Sequence, residues 1–174
     1  MLMFKKKYYL FVENTRDLNL DLIKIRDKFN IIYRNLINKE KIETLKNYRD
    51  KCKRNGINFY IANDIKLLQK VKADGLYISA HNKNLLLRAY LKKGFKVIGA
   101  AHNQKEFDIK VKQGCKVIIY SRLFETADPN KRGHLGVKKF NIISLRSRAK
   151  VVPLGGINSK NLYKLNIVKS ESFA

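Results

Sequence analysis

Side chains able to handle anions recur at one point in each repeat of this chain, at the end of a short apolar run. In order they are Glu13-Asn14, Arg34-Asn35, Asn63-Asp64, Ser79 to Asn82, His102-Asn103, Ser121-Arg122 and Gly155-Gly156. Gly155-Gly156 follows Val151-Val152-Pro153-Leu154. Paired glycines let backbone N–H groups approach a phosphate, and the positive end of a following helix would add to the attraction. Asp64 offers a hard carboxylate suited to Mg²⁺ bridged to phosphate oxygens. The long segment from Phe124 to Gly133 carries Thr126, Lys131 and Arg132, a hydroxyl and two cations able to close over an anion. Asn, Asp and Ser in these places also cap helices, so each has a structural reading beside the chemical one.

The elements that must position these groups form a repeat. Apolar runs at Tyr8–Glu13, Asn30–Arg34, Asn58–Asn63, Gly75–Ser79, Lys96–His102, Lys116–Ser121 and Lys150–Gly155 read as buried parallel strands. Between them Leu18–Phe29, Lys39–Asn55, Lys66–Lys72, Asn84–Lys93, Lys105–Gln113 and Val137–Ser147 carry apolar residues at helical spacing. Gly56, Gly94 and Gly114 stand where left-handed helix caps are wanted. Strand, helix and glycine recurring about every 20 residues is a chain of βα units. Seven units and a final Ser172-Phe173-Ala174 predict an α/β fold, a (β/α)8 TIM barrel truncated at the eighth unit, in one domain over residues 1–174. A doubly wound open sheet is the competitor. It is disfavoured because no Gly-x-Gly-x-x-Gly loop follows the first run.

Composition bounds the rest. The chain has 174 residues, 45% of them hydrophobic, enough for a core despite a formal charge of +24. That charge invites a nucleic-acid reading. The lysines, however, are spread over nearly every segment, without a stacking aromatic ladder or zinc-finger spacing, so solvated basic faces are expected rather than a nucleic-acid interface. Cys52 and Cys115 are too few for a disulfide framework, which points to a reducing cytoplasm. No apolar run reaches the ~18 residues of a membrane helix, so no membrane partner is expected. A homo-oligomer in which a second subunit completes the barrel seam stays open.

Several strings, taken in order, resemble thiamine phosphate synthase and its thiazole tautomerase relatives. They are Tyr9-Leu10-Phe11-Val12, Arg34, Asn63-Asp64, Ala73-Asp74-Gly75-Leu76-Tyr77, Ile98-Gly99 with His102-Asn103, Leu123-Phe124-Glu125-Thr126 and Leu154-Gly155-Gly156-Ile157-Asn158. The resemblance implies a cytoplasmic barrel enzyme of thiamine biosynthesis, a transferase joining a phosphorylated pyrimidine (hydroxymethylpyrimidine diphosphate) to thiazole phosphate with release of pyrophosphate. It places Arg34 at the diphosphate, Asn63 at the pyrimidine and Asp64 at Mg²⁺. Thr126 and Lys131 would hold phosphate oxygens, and Gly155 with Gly156 the thiazole phosphate.

The chain also departs from that pattern. Around Arg34 the family's Gln and Lys become Ile32 and Leu36, its second metal-binding Asp becomes Asn82, and its Ser becomes Ala101. A thiazole tautomerase-like isomerase is the alternative, since Phe124-Glu125-Thr126 matches that branch. The acid/base His of the branch falls at Arg122, which cannot shuttle a proton at neutral pH. His102, at the end of the fifth run, is the histidine placed to reach substrate, while His81 and His134 read as loop residues. A non-catalytic barrel binding phosphorylated ligands or a polyanion is the third reading.

Overall fold

The computed structural model describes residues 7–23, 27–35, 40–90, 95–126 and 133–174. Within them the repeat becomes eight parallel strands: β1 Lys7–Val12, β2 Phe29–Tyr33, β3 Asn58–Ala62, β4 Gly75–Ile78, β5 Lys96–Ala101, β6 Val117–Ser121, β7 Lys150–Leu154 and β8 Ser172–Phe173. Each of β1 to β7 pairs with its sequence neighbour, and β8 pairs with β1 through Lys7–Ser172 and Tyr8–Phe173. Beyond β8, the Ala174 N–H donates to the Pro153 carbonyl of β7 at 3.1 Å. The sheet is therefore a nearly closed barrel, as the repeat implies.

Alternation along the strands sorts side chains into two cores. Tyr9, Ile32, Tyr60, Tyr77, Ile98, Ala100, Ile119 and Val152 fill the barrel interior. Ile31, Phe59, Ile61, Leu76, Ile78 and Ile118 face outward under the helices. Gly75 is fixed by this packing: a Cβ there would stand 2.7 Å from the Tyr60 ring. Lower in the barrel, Lys96 Nζ donates to Asn58 Oδ1 at 2.8 Å, and Asn58 Nδ2 donates to the buried Asn30 at 2.9 Å.

Among the described residues five helices cover the strands: α1 Ile42–Arg54, α2 Ile65–Val71, α3 Leu87–Tyr90, α4 Gln104–Lys112 and α5 Gly136–Arg146. The α1 stripe buries Leu45, Tyr48 and Cys52, and Gly56 and Gly114 follow α1 and α4 at φ of +68° and +84°. Gly94 lies outside the described residues. Among the described residues, no helix is long and apolar enough to cross a membrane. Both cysteines are free and buried, and burial pushes each thiol up to about 12.

Three expectations need correction. Within the described residues the first helical stretch, Leu18–Phe29, holds only a 3-10 turn at Leu20–Leu22, and Phe29 already opens β2. Asp27 has φ of +62°, a left-handed conformation that no α-helix can contain. The stretch Asn84–Lys93 is helical only at α3 within the described residues. There the Asn82 and Asn84 side chains accept from the Asn84 and Leu86 N–H groups and build turns instead. After Gly155-Gly156 comes no α-helix but a 3-10 segment, Leu162–Ile167, so the helix dipole expected behind the glycines is missing.

Candidate active site

The C-terminal ends of β4 to β7 open into a cavity of about 790 Å³. Its described lining includes all three histidines of the chain, His81, His102 and His134, with Arg122, Thr126, Lys139 and Gly155. No carboxylate is among the described lining residues. A space of this size with this lining suits an anionic small molecule. The His81 and His102 rings lie 6.2 Å apart.

His102 is held from α4. Glu106 Oε2 accepts from the His102 N–H at 2.7 Å and lies 3.1 Å from Nδ1, while Asn103 caps the helix by accepting from the Glu106 N–H at 2.9 Å. Burial pushes the Glu106 carboxyl up, but the hydrogen bonds and charge of His102 outweigh it and hold the group below the usual carboxylate range. A carboxylate beside Nδ1 orients the ring.

Asn63 is a junction rather than a lone ligand. It sits at φ of +57°, and its Oδ1 accepts from the Ser79 N–H at 3.0 Å and from Asn82 Nδ2 at 3.2 Å. Its Nδ2 donates to the Ser79 hydroxyl at 3.1 Å. The β3 and β4 loops are thereby tied together. From below, the fully buried Lys110 donates to the Asn82 carbonyl at 2.6 Å and to Gln113 Oε1 at 3.0 Å. Gln113 Nε2 also donates to the Asn82 and Asn84 carbonyls. The Lys110 stem runs across Gly99, where a Cβ would come within 2.9 Å of it.

The paired glycines have a steric cause. Gly155 and Gly156 adopt φ of +95° and +70°. A Cβ on Gly156 would run into the Phe124 and Glu125 carbonyls, 2.6 Å from the Phe124 carbonyl carbon. Two backbone bonds lock the loops together, Leu123 N–H to the Leu154 carbonyl at 2.9 Å and Phe124 N–H to the Gly155 carbonyl at 3.1 Å. This packing sets Thr126 in the cavity wall, its Oγ1 buried without a hydrogen-bond partner among the described residues.

Arg34 leaves β2 over the barrel mouth, with its guanidinium 5.5 Å above the Phe11 ring and its Nε buried without a partner among the described residues. Phe11 meets Tyr77 edge-on at 5.5 Å. Arg34 hydrogen-bonds Tyr77, though burial is the larger influence and raises that phenol. Lys131 lies outside the described residues.

Asp64 belongs elsewhere. Its Oδ1 accepts from the Leu67 N–H at 2.8 Å as the N-cap of α2, and it lines a separate crevice of about 380 Å³ with Tyr33, Glu40, Lys66 and Lys70. Among the described residues no three His, Cys, Asp or Glu side chains converge to hold a metal. A Mg²⁺ site needs several hard oxygens, and the carboxylates here are committed to a cap (Asp64) and an imidazole (Glu106). The described residues do not fit a protein-held Mg²⁺.

The family model for thiamine monophosphate synthase matches residues 3–172. The chain belongs to this family. Two thiamine-phosphate synthases of Prochlorococcus marinus strains are similar to it, at 27% identity over 115 residues and 26% over 118. The matched regions are 66% and 67% of this chain but 33% and 34% of those proteins, so the chain spans about a third of the length of the curated relatives it matches. Among solved structures, thiamine phosphate pyrophosphorylase from Pyrococcus furiosus superposes with a TM-score of 0.74 at 16% identity, covering 98% of this chain and 85% of that one. A truncated 3-deoxy-D-arabino-heptulosonate 7-phosphate synthase from Thermotoga maritima gives 0.65 at 16%, covering 96% and 72%. These two likenesses support the fold alone.

Against this thiamine monophosphate synthase frame, the structure gathers His102, Thr126 and Gly155 in the cavity wall and sets Gly156 behind it. Arg34 and Asn63 stand at neighbouring strand ends, and Asp64 turns to the crevice. The sequence reading took His81 and His134 as loop residues and did not single out Glu106 or Lys139. The signal for two of them was available: His81 falls just past the fourth strand and His134 just before the fifth helix, so both loops rise from one barrel end.

Proposed function

We propose that this chain is a thiamine-pathway transferase that joins hydroxymethylpyrimidine diphosphate to thiazole phosphate and releases pyrophosphate. The observation that carries the reading is the histidine-, Arg122- and Lys139-lined cavity at the strand ends, free of carboxylates among its described lining, in a chain of this family. The thiazole nitrogen supplies the electron pair of the new C–N bond, and the C–O bond to the diphosphate breaks with its pair leaving on pyrophosphate. What the protein must do is align the two reactants and neutralise the departing charge. Arg122 and Lys139 line the space for that charge, Arg34 stands over the barrel mouth, and the buried Thr126 hydroxyl offers a donor to a phosphate oxygen. Gly155 and Gly156 act by holding the two loops together. Lys131 keeps its expected place as a phosphate ligand by family resemblance alone.

The test is coupling: incubate the protein with both half-molecules and follow thiamine phosphate by chromatography. Product formation that Arg34→Ala or Arg122→Ala abolishes supports the reading, and no coupled product from the folded parent overturns it.

A second reading rests on the His102–Glu106 pair. An imidazole oriented by a carboxylate in a cationic cavity can move a proton on a phosphorylated thiazole, the isomerase chemistry of the tautomerase branch. It predicts isomerisation of the thiazole alone, lost in His102→Gln.

A further inference from the structure

We propose that this site holds its phosphorylated ligand with protein cations alone, without a bridging Mg²⁺. The inference rests on the reading that the cavity takes a phosphorylated ligand. Charged groups in its described wall are Arg122 and Lys139, beside three imidazoles, with no carboxylate there through which a dication could be held beside the anion. The described acids closest to that duty already serve other groups. Glu106 spends Oε2 on the His102 N–H and ring, and Asp64 caps α2 in the other crevice. Asn82 is neutral: its Oδ1 accepts from the Asn84 N–H at 3.1 Å, and its Nδ2 donates to Asn63.

Beneath Asn82 the structure adds an opposing charge. The Lys110 ammonium, in a fully buried residue, is fixed 2.6 Å from the Asn82 carbonyl and 3.0 Å from Gln113 Oε1. A cation immobilised there repels a second cation above it, and low-dielectric surroundings screen that repulsion poorly. The same charge attracts an anion. The loop carrying His81 and Asn82 thus rests on a fixed positive group where a metal-binding loop would present acceptors.

The test is calorimetric titration of the full chain with inorganic pyrophosphate, in excess MgCl₂ and in excess EDTA at matched ionic strength. Inorganic phosphate, a weaker chelator, is titrated in parallel so that complexation of pyrophosphate in solution is not read as binding. The inference expects both anions to bind in EDTA, with phosphate affinity within about threefold of that in Mg²⁺, roughly half of one tenfold step in free energy. It also expects no saturable heat from Mg²⁺ alone. Binding only in Mg²⁺, a larger gain with Mg²⁺, or saturable binding of Mg²⁺ alone overturns this inference and leaves the phosphate-site reading standing. Binding in neither buffer overturns both.

Discussion

Replacing Gly156 by alanine should injure the protein through two separable effects. Its φ of +70° places an L-residue in the left-handed region, which costs about 1–2 kcal/mol. The new Cβ would also press on the Phe124 and Glu125 backbone, and forcing atoms into a packed contact costs about 1–3 kcal/mol more. The sum, about 2–5 kcal/mol, is a large part of a typical domain's stability. Gly136 provides the internal control, because it shares φ of +70° yet a Cβ there meets nothing within 4 Å among the described residues. Gly136→Ala should therefore cost only the conformational part. Urea denaturation of both variants measures the difference, and thermal melting should show it at about 2–4 °C per kcal/mol. Since the displaced carbonyls lead into Thr126, Gly156→Ala should also weaken pyrophosphate binding while Gly136→Ala preserves it. Equal losses in the two variants would refute the claim that loop contact, rather than backbone conformation, dictates the second glycine.

Four other outcomes can be measured with the same material. Asp64→Ala should lose about 0.5–2 kcal/mol of stability as a helix cap, and Asp64→Asn should restore most of it, because asparagine caps equally well. Asn63→Ala removes its bonds to the Ser79 N–H and to Asn82, which water can replace at this exposed site, and should cost about 0.5–1.5 kcal/mol by denaturation. The Glu106 carboxyl lies lower in the folded than in the unfolded chain, so its stabilisation is complete above the ordinary carboxylate range and fades as pH falls through the folded value. Glu106→Gln should flatten the acid limb of the stability–pH curve. Burial lowers the Lys110 ammonium, against smaller opposing influences from Cys115 and Glu106, so the folded chain sheds that proton first. Stability should then rise as pH climbs from the folded value toward the ordinary lysine value near ~10.4, and Lys110→Met should remove the rise.

The strands were readable because each is a near-continuous apolar run, and both faces of a barrel strand are buried. Helices were readable where an apolar stripe exceeded two turns, as at Leu45, Tyr48 and Cys52 in α1. The first helical stretch misled because Leu18, Leu20 and Ile23 pack on the core from a single turn and a loop, which gives the same spacing without the helix. In the site, residue type located the rim but not the partner of each group. Asp64 and Glu106 are both acids near strand ends, yet one bonds its own helix and the other an imidazole. That choice depends on rotamer and register, which a linear pattern does not carry. His81 and His134 illustrate the complementary failure, being far apart in the chain and joined only by barrel curvature.

The glycine pair joins the two levels. Its sequence suggested a phosphate cradle, and its geometry shows a close crossing of the β6 and β7 loops. The two are compatible, because a loop clamped by backbone contacts holds the Thr126 hydroxyl buried at the cavity wall, unpartnered among the described residues. An unsatisfied buried hydroxyl is costly unless a ligand completes it. Thr126→Val removes that cost, so it should leave stability unchanged or raised in denaturation experiments while weakening pyrophosphate binding. A structural hydroxyl gives the opposite pattern, with lost stability and unchanged affinity, and finding it would remove Thr126 from the site.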